Sequence, residues 1–413
     1  VIKGDATPDQ SAAIALSCIS HLFDPIRQDV TMGRTLVITN DFPPRPGGIQ
    51  TFGYEIVRRF DPESVTVLTS NWEGAAEFDA AQDFKIVRAN TQTLVPSKST
   101  LSMAREIVVA ENITRVLFGA AAPLGLLAAP LRKLGVTNIV GMTQGHETGW
   151  AMTPGTRQAL RKIGNDTDYL TYISEYTHKK IAKALSPSAA ARMRRIVPGV
   201  DSTEFSPDNL SSGNQLRTDL GWIDRPVIVC VSRLMARKGQ DELIRALPMI
   251  QQTVANASLI IVGDGPYRKD LERLVKKLGL ENFVHLTGKV SQTELSKWYA
   301  AGDIFAMPCR TRMGGWDVEG LGIVFLEGSA TGLPVIVGDS GGAVDAVIDG
   351  ETGFLVDGTN TAEIADRIAY LFSNPDVAKK MGEAGRNWVT QEWTWDQNFK
   401  KLDGLLSGLD FSD

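Results

Sequence analysis

The stretch "EGLGIVFLEG" holds Glu319 and Glu327 eight positions apart around a glycine-rich apolar run. Two carboxylates so spaced suit one of two chemistries: a shared proton transfer as acid and base, or acceptance of hydroxyl donors from a bound ligand. On a continuous helix eight residues span about 12 Å and turn the side chains about 80° apart. Carboxylate pairs that cleave glycosidic bonds stand roughly 5 to 9.5 Å apart, so the acid and base reading is disfavoured. Gly322 to Gly332, with Pro334 just beyond, predicts a helix that starts between the two glutamates. The amides of Leu321, Gly322 and Ile323 would then form an anion-binding helix start with a carboxylate on either side. A nucleotide-sugar has that shape, with a diphosphate between two hydroxyl-bearing rings.

Other loops offer matching groups. In "VCVSRLMARKGQDELIRAL", Arg233 follows an apolar strand and Lys238 comes five residues later at the start of a helix. A planar fork and a point charge at one strand mouth suit a diphosphate, although a solvated surface pair is the plainer reading. In "NDFPPRPGGIQTFGYEIVRRF", Pro43, Pro44 and Pro46 stiffen a loop, and Gly47-Gly48 opens a helix with Gln50 in its first turn. Such a turn lets backbone amides approach an anion, or simply supplies positive φ. The dinucleotide fingerprint G-x-G-x-x-G is absent there, which weakens a dehydrogenase reading. In "QGHETGW", His146 is the one histidine of four in a loop after a buried strand. It could bond a sugar hydroxyl or stabilise a phosphate, or be a solvated loop residue. His178, on a basic helix, and His285, inside "FVHL", read as structural.

The elements that must position these groups are legible as alternation. Short β-branched runs ("TLVITN", "SVTVLTS", "RVLFGA", "NIVGMTQ", "YLTYIS", "RRIVPG") alternate with helix-length segments. A second series begins near Pro226 with "PVIVCVS", "SLIIVGD", "FVHLTG", "IFAMP", "PVIVGD" and "GFLVD". Continuous hydrophobicity implies strands covered on both faces, hence parallel sheets with crossover helices. Two such series predict an α/β protein of two doubly wound, Rossmann-like domains. The boundary falls in "PGVDSTEFSPDNLSSGNQ", where Pro, Gly, Ser and Asn accumulate. Ligands of such sheets bind at the carboxyl ends of the strands, where the loops above lie.

The totals exclude several classes. At 413 residues the chain exceeds one core, in agreement with two domains. A net charge of −5 argues against a nucleic-acid binder. Cys18, Cys230 and Cys309 lack metal-like spacing, and Cys230 in an apolar strand reads as a buried free thiol, which implies a reducing, cytoplasmic compartment. No apolar run reaches the ~18 residues of a membrane span, so membrane contact is expected to be peripheral. Residues 1–31 read as a partly disordered extension, without the basic flank and cleavage pattern of a signal peptide. The expected organisation is an extension over 1–31, a first Rossmann-like domain over 32–200, a second over 201–392, and a terminal helix over 393–413.

From Met32 onward the chain resembles the GT-B glycosyltransferases of retaining family 4, marked by E-x7-E. The resemblance rests on "PPRPGGIQ", "GHE", "PGVDSTEFSP", "SRLMARKG", "VGDGP", "GKV" and "EGLGIVFLE" in that order. "NDFPPRPGGIQ" with "MPCRTR" and "DVEGLGIV" is most similar to the GDP-mannose-dependent enzymes of actinobacterial phosphatidylinositol mannoside synthesis, and among these to the group adding the second mannose.

That resemblance implies roles: residues 32–200 would bind the acceptor, residues 201–392 the nucleotide-sugar, and the helix over 393–413 would return to the first domain. Glu319 would hold the mannose hydroxyls and Glu327 the ribose hydroxyls. Arg233 and Lys238 would bind the diphosphate, with the amides of Leu321, Gly322 and Ile323 and with Gly47 and Gly48 completing the cradle. Val290 would meet the base, and Asp41, Gln50 and His146 would face the acceptor and the transferred sugar. It further implies a metal-independent reaction with no cofactor, GDP-mannose as donor and a phosphatidylinositol mannoside as acceptor. A relative using a UDP-sugar and a soluble acceptor stays open at this stage, because backbone groups choose the base. So does a non-catalytic nucleotide-sugar-binding protein, which should tolerate losing Arg233, Lys238 or Glu319. Asp166-x-Asp168 has the spacing of metal-dependent glycosyltransferases but precedes its strand, so it is read as structural. Three positions depart from the family pattern: Asp345 stands where glutamate is usual, and Trp316 and Gly328 are unexpected. Between Tyr176 and Val200 lie six Lys or Arg and no acid, with Arg157, Arg161 and Lys162 upstream. This stretch could dock on anionic lipid headgroups at the inner face of the cell membrane, or be an ordinary solvated helix face.

Overall fold

The structure, a computed structural model, describes residues 33–411. The 1–31 extension and Cys18 therefore lie outside the described residues. Seven strands form the first sheet: β1 (Arg34–Thr39), β2 (Val65–Ser70), β3 (Lys85–Ala89), β4 (Ile113–Phe118), β5 (Asn138–Met142), β6 (Tyr169–Tyr172) and β7 (Met193–Arg195). Six form the second: β8 (Val227–Val231), β9 (Ser258–Val262), β10 (Val284–Gly288), β11 (Ile304–Met307), β12 (Val335–Gly338) and β13 (Gly353–Val356). Their orders are β3-β2-β1-β4-β5-β6-β7 and β10-β9-β8-β11-β12-β13. Every pairing is parallel; Val37 of β1, for example, lies between Val67 and Leu117.

The continuous apolar runs explain this arrangement. Every residue of β2 and of β8 is buried, as strands covered by helices on both faces must be. Only β3 escaped the sequence reading. It is an edge strand, "KIVRA", with Lys85 exposed and the next three residues half-buried, so it lacks a continuous apolar run.

Strand order reverses between β1 and β4, and again between β8 and β11. Successive crossovers leave β1 and β8 to opposite sides there, which opens a crevice at the carboxyl ends of those strands.

The polar segment after Val200 is more ordered than its composition predicts. It forms a 3₁₀ turn, Pro207–Asn209, and then a helix, Leu210–Asp219. Gly213 lets that helix lie against the end of the helix Gln292–Ala300, since a Cβ there would come 2.2 Å from the Ala300 carbonyl oxygen. The last helix, Trp395–Leu406, lies on residues of the first sheet and its helices. Phe399 meets Phe60 edge-on at 4.9 Å, Asp403 pairs with Arg115 at 3.0 Å, and the Val197 amide donates to Asn398.

Cys230 and Cys309 are buried free thiols. Burial pushes Cys230 up to about 12, which leaves it a poor nucleophile. No helix among the described residues is long and apolar enough to cross a membrane.

Candidate active site

Both loops at the β8/β11 reversal carry charge into one place. After β8 the chain makes a 3₁₀ turn, Ala236–Lys238, before the helix Gln240–Gln251. Lys238 thus ends a turn rather than starting the helix. Gly239 joins the two with φ 77°, and a Cβ there would lie 2.0 Å from the Pro308 carbonyl oxygen, so only glycine lets the β8 loop approach the chain leaving β11. Gln240, fully buried, donates to the Ser232 hydroxyl at 2.8 Å and to the Arg233 carbonyl at 3.2 Å, and so fixes the loop's shape.

Lys238 and Glu319 meet where these loops cross. The Lys238 ammonium is 2.5 Å from Glu319 Oε2, with the residues only 8% and 7% exposed. Arg237, absent from the sequence-derived site, reaches the same oxygen at 2.5 Å and Asp317 at 3.1 Å. Burial works to raise the Glu319 carboxyl, but the Lys238 and Arg237 cations overcome it and hold the group below its ordinary range. Arg233 stands apart from this cluster, exposed, with no ion pair or side-chain hydrogen bond among the described residues. A guanidinium free at the mouth of a strand is ready for an anion.

The helix between the glutamates spans Ile323–Ala330, with Gly322 as N-cap at φ 84° and no side-chain cap. Its first amides thus have no intrahelical acceptor and no side-chain cap. Glu327, within the helix, is half-buried and accepts from the Tyr299 hydroxyl at 2.6 Å. Burial pushes its carboxyl up to about 7; the Tyr299 bond opposes that rise and the charge of Glu204 adds to it. Tyr299 gave no signal in sequence, because it meets Glu327 only through the tertiary fold. Val290 is half-buried after β10, against the core of the second domain.

The first sheet supplies two loops. After β1, Gly47 is the N-cap of the helix Gly48–Val57, at φ 149°, and Gly48 faces open space. Gln50 donates to Asp41 at 2.7 Å, which brings those two predicted residues together. After β5, His146 caps the short helix Glu147–Met152, with Nε2 3.3 Å from Glu147 Oε1. Glu147 is fully buried. Its other oxygen accepts from the Gln144 amide at 2.9 Å, whereas Oε1 has no hydrogen-bond partner. Burial pushes this carboxyl upward, and the neighbouring histidine opposes that. Glu147 was also missed, although it follows His146 directly in "GHE".

Loops of the two domains touch at this point. Ser174, at the start of the helix Glu175–Ala182, donates to the Gly320 carbonyl at 2.9 Å, and a Cβ on Gly145 would come 3.9 Å from the Cα of Gly320. The His146 loop therefore faces the Glu319 loop. Asp345 accepts from the Glu175 amide at 2.8 Å, a favourable place for a carboxylate at a helix start. Gly328 is required by packing, since a Cβ there would lie 2.9 Å from the Phe305 ring.

Two sequence features have structural employment. Asp168 accepts from Arg132 and from the Ile139 amide, and Asp166 pairs with Lys162. In the basic stretch, Arg192 donates to backbone carbonyls, Arg194 pairs with Asp410, and Arg195 lies over Trp393. Lys179 and Lys183 remain exposed, and Lys180 is half-buried.

Residues 214–388 match the family described as Glycosyl transferases group 1. The chain is 46% identical over 380 residues to the GDP-mannose-dependent alpha-(1-6)-phosphatidylinositol monomannoside mannosyltransferase of Mycolicibacterium smegmatis, covering 90% of this chain and 98% of that one. It is 41% identical over 376 residues to the GDP-mannose-dependent monoacylated alpha-(1-6)-phosphatidylinositol monomannoside mannosyltransferase of Corynebacterium glutamicum, covering 90% and 97%. Among solved structures, Anabaena Alr3699/HepE in complex with UDP superimposes with a TM-score of 0.76 at 20% identity, over 91% of this chain and all of that one. At that identity the likeness speaks for the fold alone.

Proposed function

This chain belongs to the group 1 glycosyl transferases, and from that membership we propose that it moves mannose from GDP-mannose to a phosphatidylinositol monomannoside, without a metal and with retention at the anomeric carbon. The observation that carries the site reading is the crossing of the β8 and β11 loops, which sets Lys238 and Arg237 on Glu319 beside the open helix start at Gly322.

In this reading the diphosphate lies against the Leu321, Gly322 and Ile323 amides and draws Arg233 and Lys238 to it, with Gly47 and Gly48 closing over it. Glu319, kept ionised by Arg237, then takes the mannose hydroxyls. Glu327 takes the ribose hydroxyls, and Val290 lies by the guanine. The acceptor hydroxyl, beside Asp41, Gln50 and His146, attacks the anomeric carbon from the face that the phosphate leaves. The bond from that carbon to the phosphate oxygen breaks as the new glycosidic bond forms. The acceptor proton passes to the departing phosphate oxygen, and the cations offset the charge that develops there. No enzyme nucleophile is needed. The lipid acceptor places the enzyme at the inner face of the cell membrane, as a peripheral protein.

A transfer assay with GDP-mannose and phosphatidylinositol monomannoside tests this. The expected product carries one further mannose with α configuration by NMR, at a rate unchanged by chelator. No product from this pair, with transfer from a UDP-sugar to a soluble acceptor, would overturn the reading.

A further inference from the structure

Just before Glu319 a small loop, Arg312 to Asp317, leaves the second domain. Arg312 and Asp317 close it by backbone hydrogen bonds of 2.8 and 3.3 Å. At its tip Met313, Gly314 and Gly315 are all left-handed, at φ 52°, 62° and 96°. Positive φ is rare outside glycine, and a methionine held so at a loop tip calls for a reason. The conformation presents two large apolar side chains to solvent. Met313 is 74% exposed, the most of any large hydrophobic among the described residues, and Trp316 is 57% exposed.

The loop does not stand free of the first domain. The Tyr176 hydroxyl donates to the Gly315 carbonyl at 3.5 Å. Trp316 covers Gly149, where a Cβ would lie 3.6 Å from its ring. One turn on from Gly149, Met152 is a further exposed apolar residue, at 37%. Cations flank this patch. Lys180 lies 5.6 Å over the Tyr176 ring, Lys179 and Lys183 continue the same surface, and Arg157 reaches the Lys183 carbonyl at 2.6 Å. Glu175 is the acid of that helix and lies near His178. Asp317 is engaged by Arg237 and Arg312.

We propose that the Met313–Trp316 loop is a bilayer-insertion finger, seated among the headgroups of an anionic membrane with Lys179, Lys180, Lys183 and Arg157 as its cationic collar. This rests on the lipid-acceptor reading above and assigns the docking to an element that reading does not use. Tryptophan favours the bilayer interface, and an unbranched methionine fills irregular apolar surroundings. Each cation at an anionic surface adds about fivefold to the affinity. Apolar tip and cationic collar are thus complementary to a charged, oil-backed surface in a way that neither is to water. Seating Trp316 in the headgroups brings Glu319 to the membrane surface, so a headgroup can enter the cleft while its acyl chains stay in the bilayer.

The test is sedimentation with phosphatidylcholine vesicles containing phosphatidylinositol, alongside transfer to a deacylated, water-soluble acceptor. Met313→Asp is expected to weaken vesicle binding about tenfold or more, with transfer to the soluble acceptor within about twofold of wild type. Brominated lipid is expected to quench wild-type fluorescence, and Trp316→Leu to lose most of that quenching. Unchanged vesicle binding by Met313→Asp, or unchanged quenching in Trp316→Leu, overturns the proposal. So does a concentration-dependent dimer lost in Met313→Asp without any effect on vesicles. If wild type binds vesicles through this loop yet transfers no mannose to the lipid, the functional reading fails and the finger stands. If lipid transfer occurs but neither variant alters membrane contact, the finger alone fails.

Discussion

Lys238 and Glu319 form a nearly buried ion pair, Nζ to Oε2 at 2.5 Å, although they come from the loops after different strands. The cation proposed for the phosphate and the carboxylate proposed for the sugar thus satisfy each other. Arg237 on the same oxygen changes what this means. If Lys238 turns to a diphosphate, as proposed, Arg237 keeps Glu319 from being left as an uncompensated buried charge. The site can exchange partners without passing through an unpaired state.

Lys238→Ala is therefore expected to lower kcat by about 10²–10³-fold, because an oriented charge at the developing phosphate is lost. The fold should survive. Loss of one partner of a buried pair costs about 3–5 kcal/mol when nothing replaces it, and here Arg237 remains. Circular dichroism and thermal melting check the second point. Wild-type turnover in this variant would remove Lys238 from the diphosphate.

Arg233 and Arg237 should separate by function, since one has no ion pair among the described residues and the other is bound to Glu319 and Asp317. Arg233→Ala is expected to weaken GDP by about tenfold or more, the worth of a charged hydrogen bond. Arg237→Ala should change GDP affinity less and act on kcat, because it disturbs the carboxylate at the sugar. Calorimetry with GDP and steady-state kinetics decide it. A larger loss of GDP affinity in Arg237→Ala would reverse the two assignments.

Glu147 is expected to act through His146. Glu147→Gln keeps the shape and an acceptor for the Gln144 amide but removes the ionisable oxygen facing Nε2. It should lower kcat by roughly 10-fold, about the worth of one charged contact that orients the imidazole. The KM for GDP-mannose should stay near wild type, and the shape of the pH–rate curve should change. A lower melting temperature with an unaltered pH–rate curve would leave Glu147 a structural residue only.

Sequence pattern carried the two sheets because buried parallel strands are continuous apolar runs, and it failed at β3 because an edge strand is not one. Arg233, Lys238, Glu319 and His146 were visible since each follows a strand in a loop with few other roles. The partners that set their state were not. Arg237 and Glu147 are sequence neighbours of chosen residues, yet nothing in the spacing says which side chain turns inward. Tyr299 lies on the face of a helix that reads as core, and its hydroxyl meets Glu327, 28 residues on, only through the tertiary fold. In the basic stretch, spacing does not tell which cations stay free: three arginines serve carbonyls, an aspartate and an indole within the fold, whereas Lys179 and Lys183 stay exposed.

Glu327 should make donor binding depend on pH near neutrality. Its carboxyl, ordinarily at 4.5, is pushed up to about 7 by burial, against the Tyr299 hydrogen bond and with the charge of Glu204 adding to the rise. Two ribose hydroxyls donate best to the ionised form, so GDP affinity is expected to rise as pH climbs through about 7 and then level off. Stability should run the other way. The folded-state value lies above the unfolded one, so the folded protein holds an extra proton between about 4.5 and 7, and the contribution of Glu327 falls as pH rises through that window. Glu327→Gln keeps an acceptor for Tyr299 and removes the ionisation. It should raise Tm by a few degrees relative to wild type at about pH 8, with a smaller gain at about pH 5. The same variant should bind GDP more weakly at about pH 8 and lose the pH dependence through neutrality. Calorimetry across that range is decisive: a variant that binds GDP as wild type does at the alkaline end takes Glu327 away from the ribose.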